Sequence, residues 1–221
     1  MSINLTKGQK INLVKDSGEK LEKFCVEVSW GAIETMKKGL FGTKKVIEDV
    51  DLDLSCVLVD KSGEWKDHVY SPEYNGFLKQ NNFPLGKLTT ADNALTHSGD
   101  DLGKGGGDDF REVISVDLTR VNGDIEKMFF FLNIYLNKGQ NFDFSQIPFA
   151  KIKMFEGTPS NVVKEHMFFD VVTDSSYSGK RALIMGKLYK KDNDWKFDAI
   201  GDATDDQMFL QTISRILKSY V

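Results

Sequence analysis

The sequence predicts a mainly β protein, an antiparallel sandwich of about nine or ten strands with a C-terminal helix and long loops, on three observations. Most of the apolar signal has period two, the pattern of half-buried strands, and strands are expected over 10–14, 23–30, 50–59, 112–118, 127–136, 149–155, 165–172, 181–189 and 194–201. Turn residues separate these stretches, and no regular strand–helix alternation appears that would build a parallel sheet. The chain has 221 residues, 40% of them hydrophobic, enough core for one domain spanning residues 1–221.

The elements follow in order. Most of the N-terminal half reads as strands, interrupted by two excursions. Residues 31–49 carry Lys37, Lys38, Lys44 and Lys45 among scattered apolar positions and read as a solvated loop, since no aromatic residues are interleaved at a base-stacking spacing. Residues 71–97 carry Pro72, Asn75-Gly76, Asn81-Asn82, Pro84 and Gly86, all turn punctuation. Phe129, Phe130, Phe131 and Tyr135, with Trp30, Trp65 and Trp195, fill and edge the core. At the C-terminus, Thr204 and Gln207 form a capping-box pattern ahead of an apolar stripe of Met208, Phe209, Ile213, Ile216 and Leu217. Asp205 and Asp206 then fall in the first helical turn.

Composition excludes several function classes. A net charge of −4 and a pI near 5.5 give no chain-wide basic field for nucleic acid. The longest apolar run is MFFFL at 128–132, far short of the ~18–20 residues of a transmembrane helix. The first residues lack the continuous apolar stretch of a secretory signal. Cys25 and Cys56 sit in β-like apolar segments without CxxC spacing, so they read as buried thiols of a reducing compartment. A cytoplasmic location follows as the expectation.

Chemistry concentrates in two acidic segments. Residues 99–109, GDDLGKGGGDD, hold five glycines and four aspartates, a composition that forms neither strand nor helix interior. Asp carboxylates and the carbonyls of a Gly-rich loop are the oxygen ligands of Ca²⁺. The second segment is Asp49, Asp51 and Asp53 alternating with Val50, Leu52 and Leu54; on a strand the three carboxylates share one face while the apolar residues face the core. Crowded carboxylates repel unless a cation or several donors neutralise them. If the two segments meet, they supply a multidentate oxygen site.

Other signatures fail. An EF-hand read from Asp49 places Leu54 where the glycine belongs and Asp60 where the glutamate belongs. The Gly99–Gly105 stretch has the wrong spacing for a phosphate loop, with no Ser or Thr after Lys104. His68, His97 and His166 lack zinc-ligand spacing, and there is no G-x-S-x-G. His97, two residues before Gly99, reads either as a surface turn residue or as one that orients the acidic loop.

These motifs resemble the TerD family of tellurium-resistance and stress-response proteins. The resemblance is carried by DVDLDLS at 49–55, HSGDD at 97–101, GGGDD at 105–109, EVISVDL at 112–118 and LYKKDNDWKFDAIG at 188–201, with Trp30 after an alternating strand. It extends over nearly the whole chain to about Gly201. It implies a calcium-binding β-sandwich in which the acidic strand and the Gly/Asp loop hold Ca²⁺, typically two ions. Carried onto this chain, the metal ligands fall on Asp49, Asp51, Asp53, Asp100, Asp101, Gly107, Asp108, Asp109 and Glu112. It further implies a non-enzymatic cytoplasmic protein that works with other Ter-type proteins, at a membrane complex with a TerC-like protein. Two departures stand out: Phe110 and Arg111 separate Asp109 from Glu112 where the family runs Gly-Asp-Asp-Glu unbroken, and the excursions at 35–47 and 71–94 are long.

Three functions therefore compete. The first is a Ca²⁺ module whose ions order a protein-docking surface. The second is a metal-dependent hydrolase or phosphotransferase using the same carboxylates, against which no independent base or phosphate-binding cluster is found near the motifs. The third is a Ca²⁺-dependent membrane-docking module, to which the lysines of 31–49 lend support only if they flank the ions.

Overall fold

The computed structural model describes residues 2–39, 42–48, 50–99, 109–137, 139–171 and 177–221, apart from the side chain of Asp109. In chain order the strands are β1 (Ile3–Asn4), β2 (Lys10–Asn12), β3 (Lys23–Gly31), β4 (Ile33–Gly39), β5 (Gly42–Glu48), β6 (Asp51–Asp60) and β7 (Trp65–Val69). Helix α1 (Asn75–Gln80) follows, then β8 (Leu95–His97), β9 (Asp109–Asp117), β10 (Ile125–Tyr135), β11 (Ala150–Thr158), β12 (Asn161–Asp170), β13 (Ala182–Lys191), β14 (Asp194–Thr204) and α2 (Phe209–Ser219).

Two six-stranded sheets form the sandwich. The first runs β1-β12-β11-β3-β9-β8 and the second β2-β14-β13-β10-β6-β7. The main ladders are antiparallel, as the alternation predicts; the short β1 pairs with β12 in parallel. Between the sheets, Phe24, Val26, Val28 and Trp30 of β3 and Ile114 and Val116 of β9 pack in one apolar cluster with Leu52, Leu54 and Leu58 of β6 and Met128, Phe130 and Leu132 of β10.

The second sheet is covered on its outer face as well. Val57, Val59, Phe129 and Phe131 lie beneath Tyr70, Leu78 and the α2 residues Phe209, Ile213 and Ile216. Strands β6 and β10 are thus buried on both faces, and a strand with two apolar environments reads as a continuous hydrophobic run rather than an alternating one. This accounts for MFFFL.

Three sequence expectations need correction. Residues 31–49 are not a loop: β4 and β5 form a two-stranded hairpin, Ile33 opposite Glu48 and Met36 opposite Lys45. Most positions of β5 are exposed, so no core-facing alternation marks it. Residues 71–97 contain α1 and β8 besides turns. The helix start is also displaced. Thr204 ends β14, and α2 begins at Phe209, where Gln211 Oε1 accepts the N–H of Met208 at 3.0 Å and of Gln207 at 2.7 Å. Asp206 instead takes two hydrogen bonds from Arg215, at 2.9 and 2.7 Å, locking the connection onto the helix.

Candidate metal centre

The site is built around the way β6 loses a neighbour. Strand β7 pairs with β6 from Val59 back to Cys56 and stops there, Cys56 facing Val69. Beyond Cys56 the edge of β6 away from β10 has no strand beside it within the second sheet among the described residues. Buried backbone groups still need partners, and side chains of the first sheet supply them. Leu54 N–H donates to Glu112 Oε2 at 2.6 Å, Leu54 O accepts from His97 Nε2 at 2.8 Å, and Val50 O accepts from Trp30 Nε1 at 2.6 Å.

These braces come from β9, β8 and β3, so they tie the two sheets together at the end where β6 begins. Glu112 and Trp30 are fully buried and His97 is nearly so. Glu112 Oε2 and His97 Nε2 are 3.4 Å apart, both meeting the Leu54 peptide. His97 Nδ1 accepts the N–H of Gly99 at 3.0 Å, which assigns the imidazole proton to Nε2. Of the two readings of His97, the structure favours loop orientation over a surface turn: the ring grips Gly99 on one side and β6 on the other.

The stem of the Gly/Asp loop is therefore fixed. Gly99 has φ of +90°, a conformation that glycine adopts without the strain of a Cβ. Ser98 N–H donates to Val113 O at 2.8 Å, and Val113 N–H returns to Ser98 Oγ at 3.0 Å. On the other arm Asp109 pairs with Gly31, and Phe110 stacks on Trp30 with centroids 5.8 Å apart. Both arms thus leave the sheet beside Val50 and Leu54.

On β6, Leu52 and Leu54 face the inter-sheet core, while Asp53 accepts a short hydrogen bond from the hydroxyl of Tyr74, a residue packed with the outer cluster under α2. The alternation of acidic and apolar faces is as the sequence indicates. Asp53 is buried and Asp51 half-buried. Tyr74 is a site residue that the sequence reading missed, because it lies among turn residues. Its hydroxyl is pushed well above the usual tyrosine range by burial, then by the charge of Asp53 and its hydrogen bond, with further contributions from Asp51 and Glu112. It stays protonated and donates, and it registers three of the sequence-selected carboxylates in one electrostatic neighbourhood.

Asp49, Asp100, Asp101, Gly107 and Asp108 lie outside the described residues, as does the side chain of Asp109. Among the described residues no group of three or more His, Cys, Asp or Glu side chains is arranged to hold a metal ion. The donor chemistry at the β6 end, carboxylate and carbonyl oxygen, is that of a hard cation.

Fold and site together define a class: an antiparallel sandwich with an acidic strand end and a braced Gly/Asp-loop stem. The chain belongs to the TerD domain family, whose pattern matches residues 1–215. It is 32% identical to stress response protein SCP2 of Bacillus subtilis over 97% of this chain and 99% of that one. It is 29% identical to tellurium resistance protein TerZ of Serratia marcescens over 98% and 100%. In fold it is similar to a crystal structure of a homologue of telluride resistance protein (TerD) from Streptomyces coelicolor, with a TM-score of 0.57 and 15% identity over 86% of this chain and 94% of that one.

Proposed function

We propose that this chain is a non-enzymatic Ca²⁺-binding module of tellurium resistance and the stress response, in which the ion or ions fix the acidic loop against β6 and so order a surface for other Ter-type proteins. The observation that supports it most is the convergence just described. Trp30, His97 and Glu112 pin both arms of the Gly99–Asp109 loop to the end of β6 that carries Asp51 and Asp53.

In this reading Asp51 and Asp53 would hold the cation from the strand, and Asp49, Asp100, Asp101, Asp108, Asp109 and the Gly107 carbonyl from the loops. The family resemblance suggests two ions. Glu112 spends Oε2 on the Leu54 N–H, so we assign it to bracing β9 against β6 ahead of direct ligation. Ca²⁺ supplies charge neutralisation and six to eight oxygen contacts; the chain supplies a stem already in place. A cytoplasmic setting accords with Cys25 and Cys56, both free and buried, whose thiols burial pushes up. No helix among the described residues is long and apolar enough to cross a membrane.

The test is thermal unfolding of chelator-stripped protein titrated with Ca²⁺ and, separately, Mg²⁺. A ligand that binds only the folded state stabilises by RT ln(1 + [L]/Kd), about 2.7 kcal/mol at a hundredfold excess over Kd. A saturable upward shift with Ca²⁺ at micromolar concentrations, and little with Mg²⁺, is the expected result. No shift, or a preference for Mg²⁺, overturns it, the latter in favour of the metal-dependent enzyme.

A further inference from the structure

Behind Asp53, on the outer face of the second sheet, a cleft of about 290 Å³ opens between Glu73–Phe77, the end of β10 and the start of α2. Its wall is aromatic. Tyr74 stacks on Phe209 with centroids 4.7 Å apart and meets Tyr135 edge-on at 5.7 Å. Tyr135 is 42% exposed, so its ring is within reach of an incoming group.

The cleft is also lined by Asn133, which is 4% exposed and stands opposite Asp53 in the β6–β10 ladder. Its Nδ2 donates to Thr212 Oγ1 at 2.9 Å. The Thr212 hydroxyl in turn hydrogen-bonds Asp206, whose carboxylate is fixed by Arg215. That relay sets the orientation of the amide: with Nδ2 spent on Thr212, Oδ1 is the acceptor left over. Asn133 Oδ1 is buried and has no hydrogen-bond partner among the described residues. A buried carbonyl without a donor is costly, and native structures seldom leave one unmet without a role for it.

Of the two acids that line the cleft, Asp206 is paired with Arg215, which leaves the charge of Glu73 facing it. None of its described lining residues is Lys or Arg. Arg181, beside it, donates to Gln207 Oε1 and Asn141 Oδ1. Aromatic faces, one carboxylate and an unmet acceptor are complementary to a group that is cationic, carries N–H donors and has an apolar stem. A bare metal ion would find too few oxygens here. A guanidinium's planar fork suits the paired oxygens of a carboxylate, whereas the buried acceptor here is one amide oxygen. A neutral apolar ligand would leave Oδ1 unmet.

We propose that this cleft binds an alkylammonium group, with its N–H on Asn133 Oδ1 and its charge and methylenes against Tyr74, Tyr135 and Phe209. A free diamine and the lysine side chain of a partner peptide share this chemistry. The site does not depend on the Ca²⁺ reading.

The experiment titrates pentane-1,5-diamine, Nα-acetyl-lysine N-methylamide and, as the neutral control, 1-pentanol into the full chain, in chelator and again in Ca²⁺, and reads binding by ligand-observed NMR. Binding of the diamine, the lysine amide or both supports the proposal, and the one bound more tightly names the source. The Tyr135→Ala and Glu73→Gln variants, both at exposed positions, should each weaken binding by about fivefold or more. Asn133→Leu, confirmed as folded by thermal unfolding, should abolish it. The proposal is overturned if neither amine binds by about 10 mM, tenfold weaker than a millimolar Kd. It is equally overturned if 1-pentanol binds as tightly as the diamine, or if Tyr135→Ala and Glu73→Gln both leave amine binding unchanged.

Discussion

The two ends of β6 use carboxylates in opposite ways. At the far end, Asp60 closes its own turn: its Oδ1 accepts Ser62 N–H at 2.8 Å, Ser62 Oγ–H at 2.6 Å and Glu64 N–H at 3.0 Å, and Lys66 lies 3.2 Å from Oδ2. Donors from within six residues satisfy it, and the carboxyl is held at about 2, chiefly by the Ser62 hydroxyl. At the near end, Asp51 and Asp53 follow the loss of β7, and the donors that brace the strand come from the other sheet. An acid that completes a turn needs nothing further; in the proposed reading, acids gathered at a strand end beside a Gly/Asp-loop stem await a cation.

The sharpest way to break this comparison is to remove the near-end braces. Trp30 is fully buried and holds Val50 O. Trp30→Ala should destabilise the protein by about 3–5 kcal/mol, the cost of a large aromatic cavity, measured by denaturant unfolding. Glu112→Ala comes next. It leaves the Leu54 N–H buried without its carboxylate, and a loss of about 1–3 kcal/mol is expected; a change no larger than that of the exposed control Glu64→Ala would show that the brace is dispensable.

Tyr74→Phe removes one donor from Asp53 and keeps the ring stack on Phe209. A stability loss of about 0.5–1.5 kcal/mol follows from one hydrogen bond. The smallest effect lies at the far end. Because the folded carboxyl of Asp60 is depressed from 3.8 to about 2, its contribution is present above about pH 4 and is lost as pH falls through about 2. Asp60→Asn should lower stability by a constant amount above about pH 4 and converge with the parent as pH falls through about 2, which flattens the acid limb.

Much of this was legible in the sequence for definite reasons. The nine stretches read as strands all contain strands: half-buried strands write their environment into alternation, and β6 and β10, buried on both faces, write theirs into continuous apolar runs. The acidic and apolar faces of Asp51–Leu54 could be read the same way. The β4–β5 hairpin could not, because a ribbon with most of β5 exposed imposes no alternation. Thr204 looked like a cap because capping chemistry is local, whereas the helix start was decided by Asp206 pairing with Arg215 across the turn. Leu95-Thr96-His97, buried-exposed-buried, did carry a strand signal that the neighbouring Ser-Gly turn residues obscured. Tyr74 left none, since its role depends on the chain folding back over Asp53.

The most direct measurement is calorimetric titration of Ca²⁺ into the chelator-stripped protein and into its Asp51→Asn/Asp109→Asn double variant, with thermal unfolding confirming that both are folded. The account predicts saturable binding to the first and none to the second. Equal binding by both, or none by either, would contradict a Ca²⁺ site built from the near end of β6 and the loop it braces.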